Sequence, residues 1–261
     1  MIGVLAVAVA ATGTGVAVGR VATGSHAATR TAQQASAGQV LLDDRFRGRD
    51  GLVTNEFAFE HPGAGTDSPT WQVTSGSLFY RGGVGWSGTP DTLAPGPSSA
   101  TATNSDVFRM VSRRDDFGDV RVSVQFQIVR FDDRGPRDAF DGMHVFLRYR
   151  SDASLLVVSV CRRDDMVAVK KKVMGGTTNG GTYYTLASAG NACSTGSWHT
   201  ADVDVRNIAG GVDIDVTVDG RHILTAHDTG TGGPAMTAPG RVGIRADYVE
   251  FLLRRLTVRR L

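Results

Sequence analysis

From residue 40 onward, apolar and polar positions alternate with a period of two. In VRVSVQFQIV, Val120, Val122, Val124, Phe126 and Ile128 fall on one face, and Arg121, Ser123, Gln125 and Gln127 on the other. That period predicts a half-buried β-strand. HTADVDVRNI and GVDIDVTVDGRHILTAHD alternate in the same way, and Asp219-Gly220 marks a hairpin turn between strands. SLLVVSVCRR is apolar on both faces and predicts an inner strand. GMHVFLRYR sets His144, Phe146 and Arg148 against Val145, Leu147 and Tyr149. In VAVKKKVMGGTTNGGTYYTLA, Lys170 and Lys172 share a face opposite Lys171, and Tyr183 and Tyr184 point to opposite sides. GRVGIRADYVEFLLRRLTVRRL supplies two closing strands, the last of which is expected to return to the first sheet. Helical periodicity is almost absent. Roughly a dozen strands in about 220 residues predict an all-β sandwich of two stacked antiparallel sheets.

The first residues break this pattern. MIGVLAVAVAATGTGVAVG is apolar or small throughout, although no basic residue precedes it, and Ser25-His26-Ala27 offers small residues for cleavage after Ala27. Residues 1–27 therefore read as a secretory signal peptide. Residues 28–39, rich in Ala, Thr, Gln and Ser, read as a flexible tether, and residues 40–261 as a single domain. The expectation is a secreted, extracellular, monomeric protein. Its two cysteines, Cys161 and Cys193, are expected to form one disulfide around the lysine and Gly-Gly stretch.

Charge excludes more than it identifies. The 28 basic and 26 acidic residues of the 261-residue chain leave a net charge of +2, without the basic excess that marks a nucleic-acid partner. No glycine-rich run follows a strand and opens a helix, so a nucleotide site is not expected. No Gly-x-Ser-x-Gly elbow is present for Ser-His-Asp chemistry.

Three segments carry a family resemblance: DDRFRGRDGLVTNEF, WQVTSGSLFYRGGVGWSG and APGRVGIRADYVEFLLRRLTV. Together they resemble the concanavalin-like, laminin-G-like jelly rolls of secreted bacterial proteins over most of residues 41–258. The resemblance implies a jelly-roll sandwich. It leaves chemistry open, because that superfamily includes lectins, binding modules, glycoside hydrolases and polysaccharide lyases. It requires no cofactor. A structural calcium near the sheet edge is a feature of some members, with Asp43 and Asp247 as the candidate ligands here if the terminal strands meet.

Retaining glycoside hydrolysis needs paired carboxylates. The three glutamates, Glu56, Glu60 and Glu250, do not form the Glu-x-Asp-x-x-Glu strand of laminarinase-like members, and Glu56 and Glu60 are expected in a loop. The aspartates of DVDVR and DIDV read as the wet faces of outer strands. A lyase instead needs a carboxylate neutraliser and a proton-transfer pair. His144, Tyr184, Arg148 and Lys170 are the candidate catalytic residues for that chemistry. Gln125, Gln127, Lys172, Tyr183 and Trp86 are candidate substrate-binding residues, and Trp71, Trp198 and Tyr80 are further aromatics able to stack on sugars. The Gln-x-His and Tyr-x-Lys signatures of the lyases are absent. The leading expectation is recognition of an extracellular polysaccharide, acidic if the lysines read it. Elimination on a uronate polymer is the alternative, and a non-catalytic structural or protein-interaction module is the third reading.

Overall fold

The computed structural model describes residues 37–90, 95–99, 102–103, 106–134 and 137–261. The expected signal segment and nearly all of the tether lie outside the described residues. Residues 37–261 form one compact unit.

Two antiparallel sheets face each other. The nine-stranded sheet runs β16 (Arg221–Asp228), β15 (Gly211–Val218), β14 (His199–Ile208), β9 (Val120–Phe131), β18 (Val249–Arg260), β5 (Val84–Trp86), β4 (Ser77–Arg81) and β2 (Gly51–Asn55), with β1 (Val40–Asp44) also paired to β18. The seven-stranded sheet runs β13 (Gly181–Gly190), β12 (Met166–Thr178), β11 (Ser154–Arg162), β10 (Gly142–Ser151), β17 (Arg241–Asp247), β8 (Val107–Ser112) and β3 (Trp71–Ser75). β6 (Thr89–Pro90) and β7 (Ala102–Thr103) form a short parallel pair beside them. The chain changes sheets between β2 and β3, β3 and β4, β5 and β8 (by way of β6 and β7), β8 and β9, β9 and β10, β13 and β14, β16 and β17, and β17 and β18. The first and last strands meet as expected.

Alternation explains the core. Val120, Val122, Val124, Phe126 and Ile128 are all buried, and they meet Val145, Leu147, Leu156, Val158, Val167, Val169 and Ile244 of the opposite sheet in one apolar cluster. β11 is apolar on both sides for a physical reason. Leu156 and Val158 enter the core, while Leu155 and Val157 join Val111, Phe146 and Tyr149 in a second small cluster on the outer face of the seven-stranded sheet.

The disulfide Cys161–Cys193 is formed, with Cα atoms 5.5 Å apart, and it encloses the β12–β13 hairpin. That hairpin turns at Asn179-Gly180, where φ values of 43° and 74° suit the tight turn that Asn-Gly favours. A bulge between Met174 and Thr178 contains Gly175 and Gly176.

Three sequence expectations change. Glu56–Glu60 is a short helix, α1, and not a loop; the Asn55 side chain caps it by accepting from the Ala58 N–H at 3.2 Å. Trp71 lies in the core at 0 % exposure, stacked on Phe46 and donating its indole N–H to Asp44 Oδ2 at 2.6 Å, so it is not a free sugar platform. Arg148 does not share a face with His144. β10 is irregular after Leu147, and Arg148 adopts a positive φ of 47°. The bulge shifts the alternation by one, so Tyr149 takes the outer position and Arg148 turns inward.

Candidate functional site

The outer face of the seven-stranded sheet carries the densest chemistry. Side chains form rows across paired strands. His144 lies between Ser159 and Arg245, and Arg245 is followed by Arg109. A second row runs Gly243, Phe146, Val157, Lys170. A third runs Leu155, Lys172, Tyr183. Tyr183 and Arg245 stand four strands apart, about 19 Å on a flat sheet. Yet the Tyr183 hydroxyl is 3.4 Å from Arg245 Nη1. The sheet therefore curls toward this side, and the face is concave.

A recess of about 270 Å³ opens there, lined by Phe140, His144, Val157, Ser159, Lys170, Thr178, Tyr183, Arg245 and Asp247. Its floor is an interlocked polar set. Arg245 Nε donates to both oxygens of Asp247 at 2.7 and 2.9 Å. His144 Nδ1 is 2.8 Å from Ser159 Oγ, and its Nε2 lies 3.1 Å from Asp247 Oδ2 without the alignment of a hydrogen bond. Burial pushes the His144 imidazole below the ordinary histidine value, against the pull of Asp247. Burial also works to raise Asp247, but His144 and Arg245 outweigh it and hold the carboxyl below its usual range. Arg245 and Asp247 thus form a closed ion pair.

The lysines above this floor differ. Lys170 Nζ is 6.0 Å from the Phe140 ring centre, and Lys172 Nζ sits 4.9 Å over the Tyr183 ring. Neither ammonium has a carboxylate ion-pair partner among the described residues. Burial lowers the pKa of both, against the pull of Asp164 at Lys170 and of Asp152 at Lys172, with Arg162 and Arg245 adding to the effect at Lys170, and Arg245 and Arg109 at Lys172. Burial raises Tyr183, which keeps its phenol protonated. Asp247 is the one carboxylate lining the recess and is held by Arg245, so the spaced carboxylate pair of a glycosidase is missing there.

The structure thus brings together His144, Lys170, Lys172 and Tyr183 from the sequence expectations. It separates the others. Tyr184 pairs with Lys171 and lies on the opposite side from Tyr183, against Gly232, where a Cβ would come within 2.3 Å of its ring. Arg148, 1 % exposed, is a structural clamp: its guanidinium donates to Asn207 Oδ1 and the Met236 carbonyl, each at 2.6 Å, and to Asp119 at 3.0 Å. Gln125 and Gln127 belong to the other sheet. Gln125 borders a shallow pocket with Ser123, Thr200 and Arg255, and Gln127 donates to the Gly196 carbonyl. Trp86 is also on that sheet, 9 % exposed, with its indole bonded to Glu250 at 2.9 Å and Arg81 over its ring. Trp198 is covered by Arg254 at 4.0 Å. Asp43 and Asp247 lie on different sheets, and each is paired with an arginine, Arg255 and Arg245, so they do not form a shared calcium site. No group of three or more metal-ligating side chains occurs among the described residues.

A Ser-His-Asp arrangement does occur outside the recess. His199 Nδ1 is 2.7 Å from Asp219, but its Nε2 faces the Ser194 carbonyl at 2.9 Å, closer than the Ser194 hydroxyl at 3.5 Å. The imidazole ties the Cys193 loop to the β15–β16 turn and is not free to activate the serine. Sequence reasoning missed Arg245 and Phe140. Arg245 was visible as the outward residue of GRVGIRAD; Phe140 precedes its strand in a segment without periodicity.

No protein-family model and no curated protein sequence matches this chain. Solved structures resemble it in fold. A protein of unknown function with a galectin-like fold from Bacillus subtilis superposes with a TM-score of 0.57 at 11% identity, covering 86% of this chain and 97% of the other. LamA from Z. galactanivorans, in complex with laminaritriose and laminaritetraose, gives 0.54 at 9% identity, covering 86% and 100%. A prokaryotic β-1,3-1,4-glucanase (lichenase) derived from a mouse hindgut metagenome gives 0.50 at 11% identity, covering 84% and 99%. At these identities the likeness is one of architecture, and this chain has the concanavalin-like jelly-roll fold.

Proposed function

We propose that the concave face of the seven-stranded sheet binds an acidic extracellular polysaccharide. The observation that carries this reading is Lys170, a half-buried ammonium lining the recess with no carboxylate ion-pair partner among the described residues, with the buried Lys172 over the Tyr183 ring on the same face. Burying such a charge costs free energy unless an anion completes the site. The recess also offers aromatic walls at Phe140 and Tyr183, which suit the apolar faces of sugar rings. Two proteins of similar fold are a complex with laminari-oligosaccharides and a lichenase, which supports a carbohydrate as the ligand class. The disulfide agrees with an extracellular setting.

Affinity electrophoresis of the purified protein through gels containing neutral, uronate or sulfated glycans tests this. Retardation by acidic glycans that is lost in Lys170→Ala/Lys172→Ala is the expected outcome. No retardation by any glycan sinks the proposal.

Elimination on a uronate polymer is the second reading, favoured by one feature. Lys170, lowered by burial, and Tyr183, which burial keeps protonated, line one recess, as a proton acceptor and a proton donor would have to. Lys170, once deprotonated, would take the C5 proton, and Tyr183 would protonate the departing C4 oxygen. His144, buried and bonded through Nδ1 to Ser159, is left to position the floor. Growth of ultraviolet absorbance from an unsaturated uronate, abolished in Tyr183→Phe, would establish it; a flat trace on a panel of uronate polymers would remove it.

A further inference from the structure

We infer that Phe140 and Lys170 together read a single uronate residue, with the sugar ring stacked on Phe140 and its carboxylate on the Lys170 ammonium. This rests on the reading of the recess as a glycan site, and it narrows the ligand to one whose charge is carried on the stacking ring itself.

Phe140 is 43 % exposed and lines the recess, so its ring is open to a ligand there. Its backbone is nonetheless fixed. The Asp141 N–H donates to the Asp138 carbonyl at 3.0 Å and closes the turn that carries Phe140. The Arg163 N–H donates to the Asp141 carbonyl at 2.8 Å, and the Asp164 N–H to the Ala139 carbonyl at 3.2 Å, tying that turn to the β11–β12 connection. An exposed aromatic on a fixed turn is a pre-organised platform, so little ordering is lost when a flat ligand lands on it.

Lys170 Nζ stands over the Phe140 ring, 6.0 Å from its centre, at the outer limit of a cation–π contact, so ring and ammonium face the same part of the recess. A pyranose stacking on Phe140 would replace that loose contact and carry its C5 carboxylate within reach of the ammonium. Arg245 is already engaged by both oxygens of Asp247, which leaves Lys170 as the lining cation without an ion-pair partner among the described residues. A neutral pyranose would stack but leave Lys170 unpaired. A polyanion without a sugar ring would meet Lys170 but leave Phe140 uncovered.

Titration calorimetry of the full protein with three probes tests the inference: an oligoglucuronate, the matching neutral oligoglucoside, and polyaspartate as an anion without rings. The wild type is expected to prefer the oligoglucuronate. Phe140→Ala should weaken that ligand by roughly tenfold, the scale of one aromatic stacking contact with its buried area. Phe140→Trp should keep or strengthen it, and any polyaspartate binding should be unchanged by either substitution. Equal oligoglucuronate affinity in wild type and Phe140→Ala overturns the pairing while leaving the recess as a glycan site. Wild-type preference for the neutral oligoglucoside overturns the uronate assignment alone. Absence of binding to both sugars, and to the wider panel of glycans, overturns the parent reading as well. Unchanged thermal unfolding in Phe140→Ala confirms that the comparison reports binding.

Discussion

Three consecutive lysines have three different fates. Lys171 turns under the sheet, 0 % exposed, where its ammonium donates to Asp228 Oδ1 at 2.9 Å and to the carbonyls of Gly233 and Pro234 at 2.8 and 2.7 Å. Lys170 lines the recess and Lys172 lies over the Tyr183 ring on the same face, neither with such partners among the described residues. Lys171→Met is therefore expected to destabilise the fold by about 3–5 kcal/mol, because it strands a buried aspartate. Lys170→Met should leave urea-unfolding midpoints near the wild type and weaken acidic-glycan retention instead. Asp141 gives a second test at this scale. It is 0 % exposed, and among the described residues neither carboxyl oxygen has a hydrogen-bond partner; Arg163 Nε is 3.4 Å away. Burial raises its pKa to about 6. Unfolded, the group ionises near its ordinary value of about 4. The folded state thus binds more protons between these values, and the contribution of Asp141, intact at low pH, is lost as pH rises through about 6. Asp141→Asn should raise the unfolding temperature relative to wild type above pH 6, with the gain shrinking toward pH 4. A pH-independent difference would contradict that origin.

Among the elements, the β12–β13 hairpin and the bulge of β10 decide what the recess contains. The hairpin supplies Lys170, Lys172 and Tyr183, and its outer strand β13 pairs only with β12 within the sheet. Cys161–Cys193 fixes both ends of this segment across a sequence separation of 32. Replacing both cysteines by serine is expected to lower stability by about 2–4 kcal/mol. It should also speed amide exchange most strongly in residues 174–185, which mass spectrometry of deuterated peptides would detect; uniform acceleration over the chain would argue against a local role. The bulge at Arg148 works differently. A regular strand would aim that guanidinium into the recess, and one left-handed residue sends it to Asn207, Asp119 and Met236 instead. The outer position that alternation gave Arg148 is taken by Tyr149, and the arginine beside His144 on that face is Arg245 of β17, its cross-strand neighbour.

For the whole molecule, curvature matters more than composition. The net charge of +2 is nearly neutral, yet the curled sheet gathers Lys170, Lys172, Arg245 and Arg109 on one face against Asp247 and Asp152. Acidic-glycan binding should therefore weaken steeply between low salt and physiological ionic strength, as exposed charges are screened within about 8 Å at 0.15 M. Affinity measured across that range checks this, and a salt-independent affinity would favour stacking over charge as the main source of recognition.

The all-β class, the two sheets and the core faces were legible because period-two burial is local: each strand records in its own residues which side meets the other sheet. The same record put Lys170 with Lys172 and Tyr183 against Tyr184. Pairing Cys161 with Cys193 followed from their number alone. Local alternation could not say which sheet a strand joins, so Gln125 and Gln127 were grouped with residues that lie on the other sheet. It could not register the one-residue slip at Arg148, which depends on the packing of Asn207 and Met236 from distant segments. Nor could it mark Phe140, whose exposure on a fixed turn arises from backbone bonds to residues 163 and 164. Sequence determined which side chains face out along each strand; only the curl and order of the sheets decided which of those faces meet in one recess.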